Sequence, residues 1–155
     1  MKGVDGVHAG RMSLADRSEK MPPRILVADD DTAIRLLLRR LLEEHADWQV
    51  CGEAVSGCDA ISQTATLGPD VVVLDLAMPN MNGFQAAREI ARSKPQIPIL
   101  LLTVQEISGE LLEEARRCGF RGAVSKHRGV EVIKGIEALL RNETYFSPDG
   151  PSRAA

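Results

Sequence analysis

Three adjacent carboxylates, Asp29, Asp30 and Asp31, close the apolar run ILVA at 25–28. A second apolar run, VVVL at 71–74, ends on Asp75; a third, IPILLL at 97–102, is followed by Thr103, and the weaker RGAVS at 121–125 by Lys126. Crowded carboxylates repel, at about 4 kcal/mol for unit charges ~4 Å apart at an effective dielectric of 20, so such a group requires a compensating cation. Mg2+ suits it, being hard and oxygen-seeking and taking one or two carboxylates alongside waters and phosphate oxygens. Lys126 would add a fixed positive charge and the Thr103 hydroxyl a donor. Each residue alone has a simpler explanation. Asp31 suits the N-cap of a helix starting near Thr32, where a carboxylate accepts from the first free amides and favours the helix's positive end. A lone threonine after a strand usually bonds backbone, and a lone lysine is usually a solvated charge. The functional reading rests on their joint placement at the ends of successive strands.

That placement depends on the elements. The runs at 24–28, 71–75 and 97–102 are short and rich in Val, Ile and Leu, as strands covered on both faces are, while 48–55 and 121–125 are weaker strand candidates. A helical period follows each. Ile34, Leu37, Leu38, Leu41 and Leu42 recur at i, i+3, i+4, i+7 and i+8, and Val132, Ile133, Ile136, Leu139 and Leu140 do much the same. Phe84, Ala87, Ile90 and Ala91 mark another helix, Ile107, Leu111, Leu112 and Ala115 a fourth, and 57–67 a shorter one ended by LGPD. Five strand-then-helix units predict an α/β protein with a parallel sheet between helical layers, in which ligands gather at the carboxyl ends of the strands. Asp29, Asp30, Asp75, Thr103 and Lys126 all fall on that edge.

At 155 residues and 44% hydrophobic composition the chain has room for one sizeable core and not for two ordinary domains. Its formal charge of -3 gives no general attraction to nucleic acid or to an anionic membrane. No apolar stretch reaches the ~18 residues of a membrane helix. Cys51, Cys58 and Cys118 form no C-x-x-C pair and are odd in number, which, without an apolar leader block, fits a reducing, cytoplasmic setting. Residues 1–22 read as a flexible leader, 23–142 as the domain, and 143–155, with SPDGPSRAA from Ser147, as a tail or the start of a linker. His8, His45 and His127 are too dispersed for a metal set. Arg35 and Arg39 share a helix face with Glu43 and read as solvated, and Trp48 as packing near the start of the second strand.

The segments ILVADDD, VVVLDLAMPNMNG, PILLLTVQ and GFRGAVSKHRGVEVIKGIEALL, in that order, resemble the receiver domain of two-component response regulators over about residues 23–142. RNETYFSP is similar to the subgroup whose receivers usually precede a LuxR-type helix-turn-helix domain. The resemblance implies a flavodoxin-like (βα)5 sheet with five strands in the order 2-1-3-4-5. It makes Asp75 the phosphoacceptor, with Asp30, Asp75 and the Ala77 backbone carbonyl holding Mg2+ directly and Asp29 acting mainly through water. Thr103 would bond the phosphoryl oxygens and Lys126 would pair with the phosphate. Pro79 and Gly83 would shape the loop after Asp75, the proline by restricting the turn and the glycine by permitting a positive φ. The implied partners are a histidine kinase or phosphotransfer protein, a downstream protein or output domain, and a second copy docked through the 106–142 face or the first and last helices. No enzymatic turnover is implied beyond self-phosphorylation and autophosphatase activity.

The departures from the family pattern carry their own expectations. Three residues before the lysine many receivers have Tyr or Phe, but this chain has Ala123, so a signal would have to travel through the 103–108 loop and the 106–142 face. Val104 stands where a small residue is usual, and Ala77 has no polar side chain to position water; together they predict slow hydrolysis of the phosphorylated state, although the Gln105 amide lies near enough to orient a water. Two other classes of function compete: a pseudo-receiver that acts without phosphorylation, and a magnesium phosphohydrolase of the haloacid dehalogenase kind. The second ordinarily has D-x-D around its nucleophile, where this chain has Ala77. Only 13 residues follow Asn142, too few for a helix-turn-helix, so the chain is expected to be a stand-alone receiver or one cut before an output domain, without direct nucleic-acid binding.

Overall fold

A computed structural model describes residues 21–45 and 47–146, together with the backbone of 151–153. Residues 1–20 of the expected leader lie outside the described residues. The chain alternates β1 (Arg24–Ala28), α1 (Thr32–Glu43), β2 (Gln49–Ala54), α2 (Gly57–Leu67), β3 (Val71–Asp75), α3 (Gly83–Ser93), β4 (Ile99–Thr103), α4 (Gly109–Arg117), β5 (Gly122–Ser125) and α5 (Gly129–Leu140). Two further strands follow, β6 (Glu143–Phe146) and β7 (Pro151–Arg153). All seven form one sheet in the order β2-β1-β3-β4-β5-β6-β7. The first five are parallel and in the expected order, β6 runs parallel beside β5, and β7 is antiparallel to β6.

The period of two along each strand divides the core between the faces of the sheet. Ile25, Val27, Val71, Val73, Leu100, Leu102 and Val124 pack with Leu38 and Leu42 of α1 and with Val132, Ile136 and Leu139 of α5. Leu26, Ala28, Val72, Leu74, Ile99, Leu101 and Ala123 pack with α2, α3 and α4 through Ala60, Ala86, Ala87, Ile90, Leu111 and Ala115. Burial on both faces explains why the central strands are continuous apolar runs rather than alternating ones. Trp48 is buried in the first of these cores, its ring edge-on to His45 at 4.5 Å.

Residues 143–146, placed by sequence at the start of a tail, form a strand that widens the expected five-stranded sheet. Past α5 the chain reverses at Asn142, whose φ of 61° lies in the left-handed region that asparagine tolerates at helix ends. Tyr145 and Phe146 then enter opposite cores. Tyr145 lies on the α5 side with its hydroxyl donating to Glu131, and Phe146 lies on the α4 side with the Arg116 guanidinium 4.1 Å from its ring centre. An asparagine just after a helical period, followed by Glu-Thr-Tyr-Phe, is the signal for this strand, but four residues are too few for a period of two to stand out.

Candidate functional site

Strand register decides which residues meet. Ala28 pairs with Ala54 and Leu74, Asp75 with Leu102, and Thr103 with Ser125, so Asp29, Asp75, Thr103 and Lys126 leave the sheet on one edge. The ladder continues one step past the strands, with the Leu76 amide donating to Leu102 O at 3.1 Å and the Lys126 amide to Thr103 O at 2.9 Å. Asp31 is the N-cap of α1, its carboxylate accepting from the Ala33 amide at 2.9 Å, and stands apart from the cluster as expected.

Asp29, Asp75 and Thr103 are buried, whereas Asp30 is exposed. Asp29, Asp30 and Asp75 each bring a carboxylate oxygen within 4.8 Å of the others. The Lys126 ammonium lies 2.8 Å from Asp29 Oδ2 and 3.0 Å from Asp75 Oδ1. Asp75 Oδ1 also accepts from the Ala77 amide at 3.4 Å, while Asp75 Oδ2 is buried without a hydrogen-bond partner among the described residues. Asp29 Oδ1 accepts from the Asp31 amide at 2.9 Å, and its Oδ2 faces the ammonium alone. Burial pushes the Asp75 carboxyl up to about 6; Lys126 works against this rise, and the Asp29 charge adds to it. Burial alone would weaken the Lys126 charge, but its hydrogen bonds to Asp29 and Asp75 prevail and raise its pKa. A buried carboxylate oxygen left unpaired beside two further carboxylates is a donor set that fits a hard divalent cation.

The loop from Asp75 to α3 corrects one expectation. Positive φ falls on Asn80, at 71°, and not on Gly83. Gly83 is needed for close approach: its amide donates to Leu76 O at 2.7 Å, and a Cβ there would lie 2.4 Å from Asp75 O and 2.9 Å from Leu76 Cα. Asn82 caps α3 reciprocally with Gln85, which holds the loop's far end. Thr103 Oγ1 accepts from the Gln105 amide at 3.0 Å, and Val104 is exposed beside it.

Sequence reasoning missed Arg35. Although grouped with the solvated face of α1, it is only 9% exposed and donates to the Asp29 carbonyl at 2.6 Å, to Glu53 at 3.0 Å and to Thr32 Oγ1 at 3.3 Å. Its place three residues before Leu38 and seven before Leu42 puts it on the buried stripe of the helix, a signal available from spacing. Arg39 joins Glu53 at 2.7 Å and Glu43 at 3.0 Å. The Arg39 hydrogen bond, supported by Arg35, holds the Glu53 carboxyl below the usual carboxylate range, although burial opposes this.

Residues 25–137 match the family model of the response regulator receiver domain. The chain belongs to that family. The receiver is 34% identical over 126 residues to the response regulator UvrY of Escherichia coli K12, a match covering 81% of this chain and 57% of that one. It is 32% identical to the response regulator GacA of Pseudomonas aeruginosa, covering 81% and 58%. The chain therefore spans less than two thirds of the length of these curated relatives. Among solved structures, a LuxR-family two-component response regulator from Aurantimonas sp. SI85-9A1 superposes with a TM-score of 0.79 at 31% identity, covering 83% of this chain and 91% of that one. The response regulator domain of Thermotoga maritima CheB gives 0.72 at 25%, covering 77% and 97%. No helix among the described residues is long and apolar enough to cross a membrane.

Proposed function

We propose that this receiver accepts a phosphoryl group on Asp75 from the phosphohistidine of a histidine kinase or phosphotransfer protein, with Mg2+ bound, and thereby switches a protein-binding surface. The observation that carries this reading is the Asp75 carboxylate, buried with one oxygen unpaired among the described residues and the other 3.0 Å from the Lys126 ammonium. In the transfer an Asp75 oxygen attacks phosphorus, the O–P bond forms as the P–N bond breaks, and the imidazole leaves. Such transfers depend on positioning and on neutralising negative charge more than on covalent chemistry by the acceptor.

Asp30, Asp75 and the Ala77 carbonyl would hold Mg2+, with Asp29 acting through water. When bound, the ion would offset the crowded carboxylates and the phosphoryl oxygens. Lys126 would pair its ammonium with the arriving phosphoryl group. Thr103 Oγ1, already accepting from the Gln105 amide, keeps its own proton for a phosphoryl oxygen. Exposed Val104 and the absence of a polar side chain at Ala77 support slow hydrolysis of the product. A cytoplasmic setting and a downstream protein or output domain belong to the same reading, which requires no enzymatic turnover.

Intact-protein mass after incubation with acetyl phosphate and Mg2+ tests the proposal. One phosphoryl group is expected, absent in Asp75→Asn and in a chelated sample, and a decay half-life of seconds would count against slow hydrolysis. A folded protein that binds Mg2+ and yet gains no mass, with acetyl phosphate or with a kinase, would point to an interaction module independent of phosphorylation.

A further inference from the structure

We infer that Arg35 is a positioning residue for the acidic site, acting through the backbone of Asp29; this rests on the magnesium-dependent reading above. Asp29 is the first residue beyond β1, and its amide still joins the ladder by donating to Ala54 O at 3.0 Å. Its carbonyl lies past the strand and accepts from Arg35 Nη1 at 2.6 Å in a buried setting. The guanidinium is itself held, by Glu53 Oε1 at 3.0 Å and by Thr32 Oγ1 at 3.3 Å. Glu53 immediately precedes Ala54 in β2, and Arg39 fixes its other oxygen at 2.7 Å. A closed frame results, running from the Asp29 carbonyl through Arg35 and Glu53 to Ala54 and back to the Asp29 amide.

The frame bears on both neighbouring carboxylates. The Asp29 carbonyl shares a planar peptide unit with the Asp30 amide, so holding that oxygen sets the direction in which Asp30 leaves the strand. The Asp29 side chain, buried between the Asp31 amide and the Lys126 ammonium, follows the same backbone. A guanidinium suits the task because its planar fork bonds the carbonyl and Glu53 at fixed angles. A helix packed for stability alone would carry an apolar residue on this stripe, where Leu38 and Leu42 continue it.

Electrostatics and positioning predict opposite signs, which makes the inference testable. Arg35 is a cation beside a cation site, so loss of its charge alone would tighten Mg2+ binding; loss of its hold on Asp29 would weaken it. Titration calorimetry of the full chain with Mg2+, at a temperature where every variant is folded, is expected to show Kd rising about tenfold in Arg35→Gln, the scale of lost outer-shell support. Arg35→Lys, which keeps the charge without the fork, should fall between that variant and wild type, and Arg39→Gln, which does not touch Asp29, should stay within about twofold of wild type by the same scale. An unchanged or lower Kd in Arg35→Gln overturns the inference, as does an equal rise in Arg39→Gln. If Arg35→Gln does not fold, Glu53→Gln, which frees the far edge of the guanidinium, must raise Kd for the inference to stand. Wild-type protein that binds no Mg2+ would overturn the magnesium reading and this inference with it, whereas wild-type binding left unaltered by Arg35→Gln removes only this inference.

Discussion

Two edges of the same sheet use burial in opposite ways. At the carboxyl edge, Asp29 and Asp75 are buried and share the ammonium of half-buried Lys126, and Asp75 keeps one oxygen unpaired among the described residues. At the lateral edge beside β5, strand β6 puts Tyr145 into one core and Phe146 into the other, the first bonded to Glu131 and the second covered by Arg116. Burying apolar rings gains about 25 cal/mol per Å2, whereas burying charge costs several kcal/mol per ion unless the partners are well placed. The first edge gives up stability to hold reactive charge, and the second supplies stability and has no part in the proposed chemistry. A change at either edge should move one property and spare or reverse the other.

The largest expected effect is at the lateral edge. Phe146→Ala should lower unfolding free energy by about 3 kcal/mol, the low end for a buried phenylalanine because the site is at the sheet margin. Urea unfolding followed through Trp48, the sole tryptophan, measures this. Phosphorylation by acetyl phosphate should be unchanged under folding conditions, and a parallel loss would show that the edges are coupled.

Asp75→Asn should have the mirrored outcome, abolishing acceptance while raising stability by a similar amount, up to about 3 kcal/mol at pH 7 in a chelating buffer. The folded carboxyl sits at about 6, above its ordinary 3.8, because burial disfavours its charge. A folded pKa raised in this way gives stability that is fully present below the unfolded value and lost as pH rises through the folded one. The advantage of Asp75→Asn should therefore be absent below pH ~4 and complete above pH ~6.5, the window set by those two values. Unfolding curves of both proteins across that range decide it, and a constant difference would mean that the asparagine acts by packing.

The smallest effect at neutral pH belongs to Tyr145→Phe, about 1 kcal/mol for one hydrogen bond. Its signature is the pH dependence. Burial, with Glu131 as acceptor, pushes the phenol up to about 12 from an ordinary value of 10. The neutral phenol is favoured by folding, so its contribution is present below pH ~10 and lost as pH rises toward ~12, a loss the phenylalanine variant lacks. Tyr145 is the sole tyrosine, so native-state absorbance should show no phenolate at pH ~10; ordinary ionisation there would mean that β6 does not stay docked.

The five βα units were legible because each signal is local: unbroken apolar runs for covered strands, followed by helical spacing. Asp31 was read correctly as a cap because capping involves residues two or three apart. The placement of Asp29, Asp75, Thr103 and Lys126 at strand ends followed from the same local signals. Gly83 was rightly singled out as loop-shaping but for the wrong reason, since the backbone of Asp75, eight positions earlier, crowds it. Arg35 was misread because an arginine on an amphipathic helix is solvated by default, and its partner Glu53 lies 18 residues away. Strand β6 was passed over because its aromatics gain their value only beside Gly122 and Ala123, their partners in register.

The sequence by itself determined the alternation of elements, the parallel sheet, and the set of oxygen and ammonium groups at its carboxyl edge, because periodicity and residue chemistry are properties of short stretches. Tertiary structure alone decided that Lys126 bridges Asp29 and Asp75, that Arg35 holds the Asp29 carbonyl, and that the chain returns to seal the sheet beside β5. Those outcomes depend on strand register and burial. Both arise only when segments distant in sequence pack together, and burial sets whether a charge is solvated or forced onto a partner.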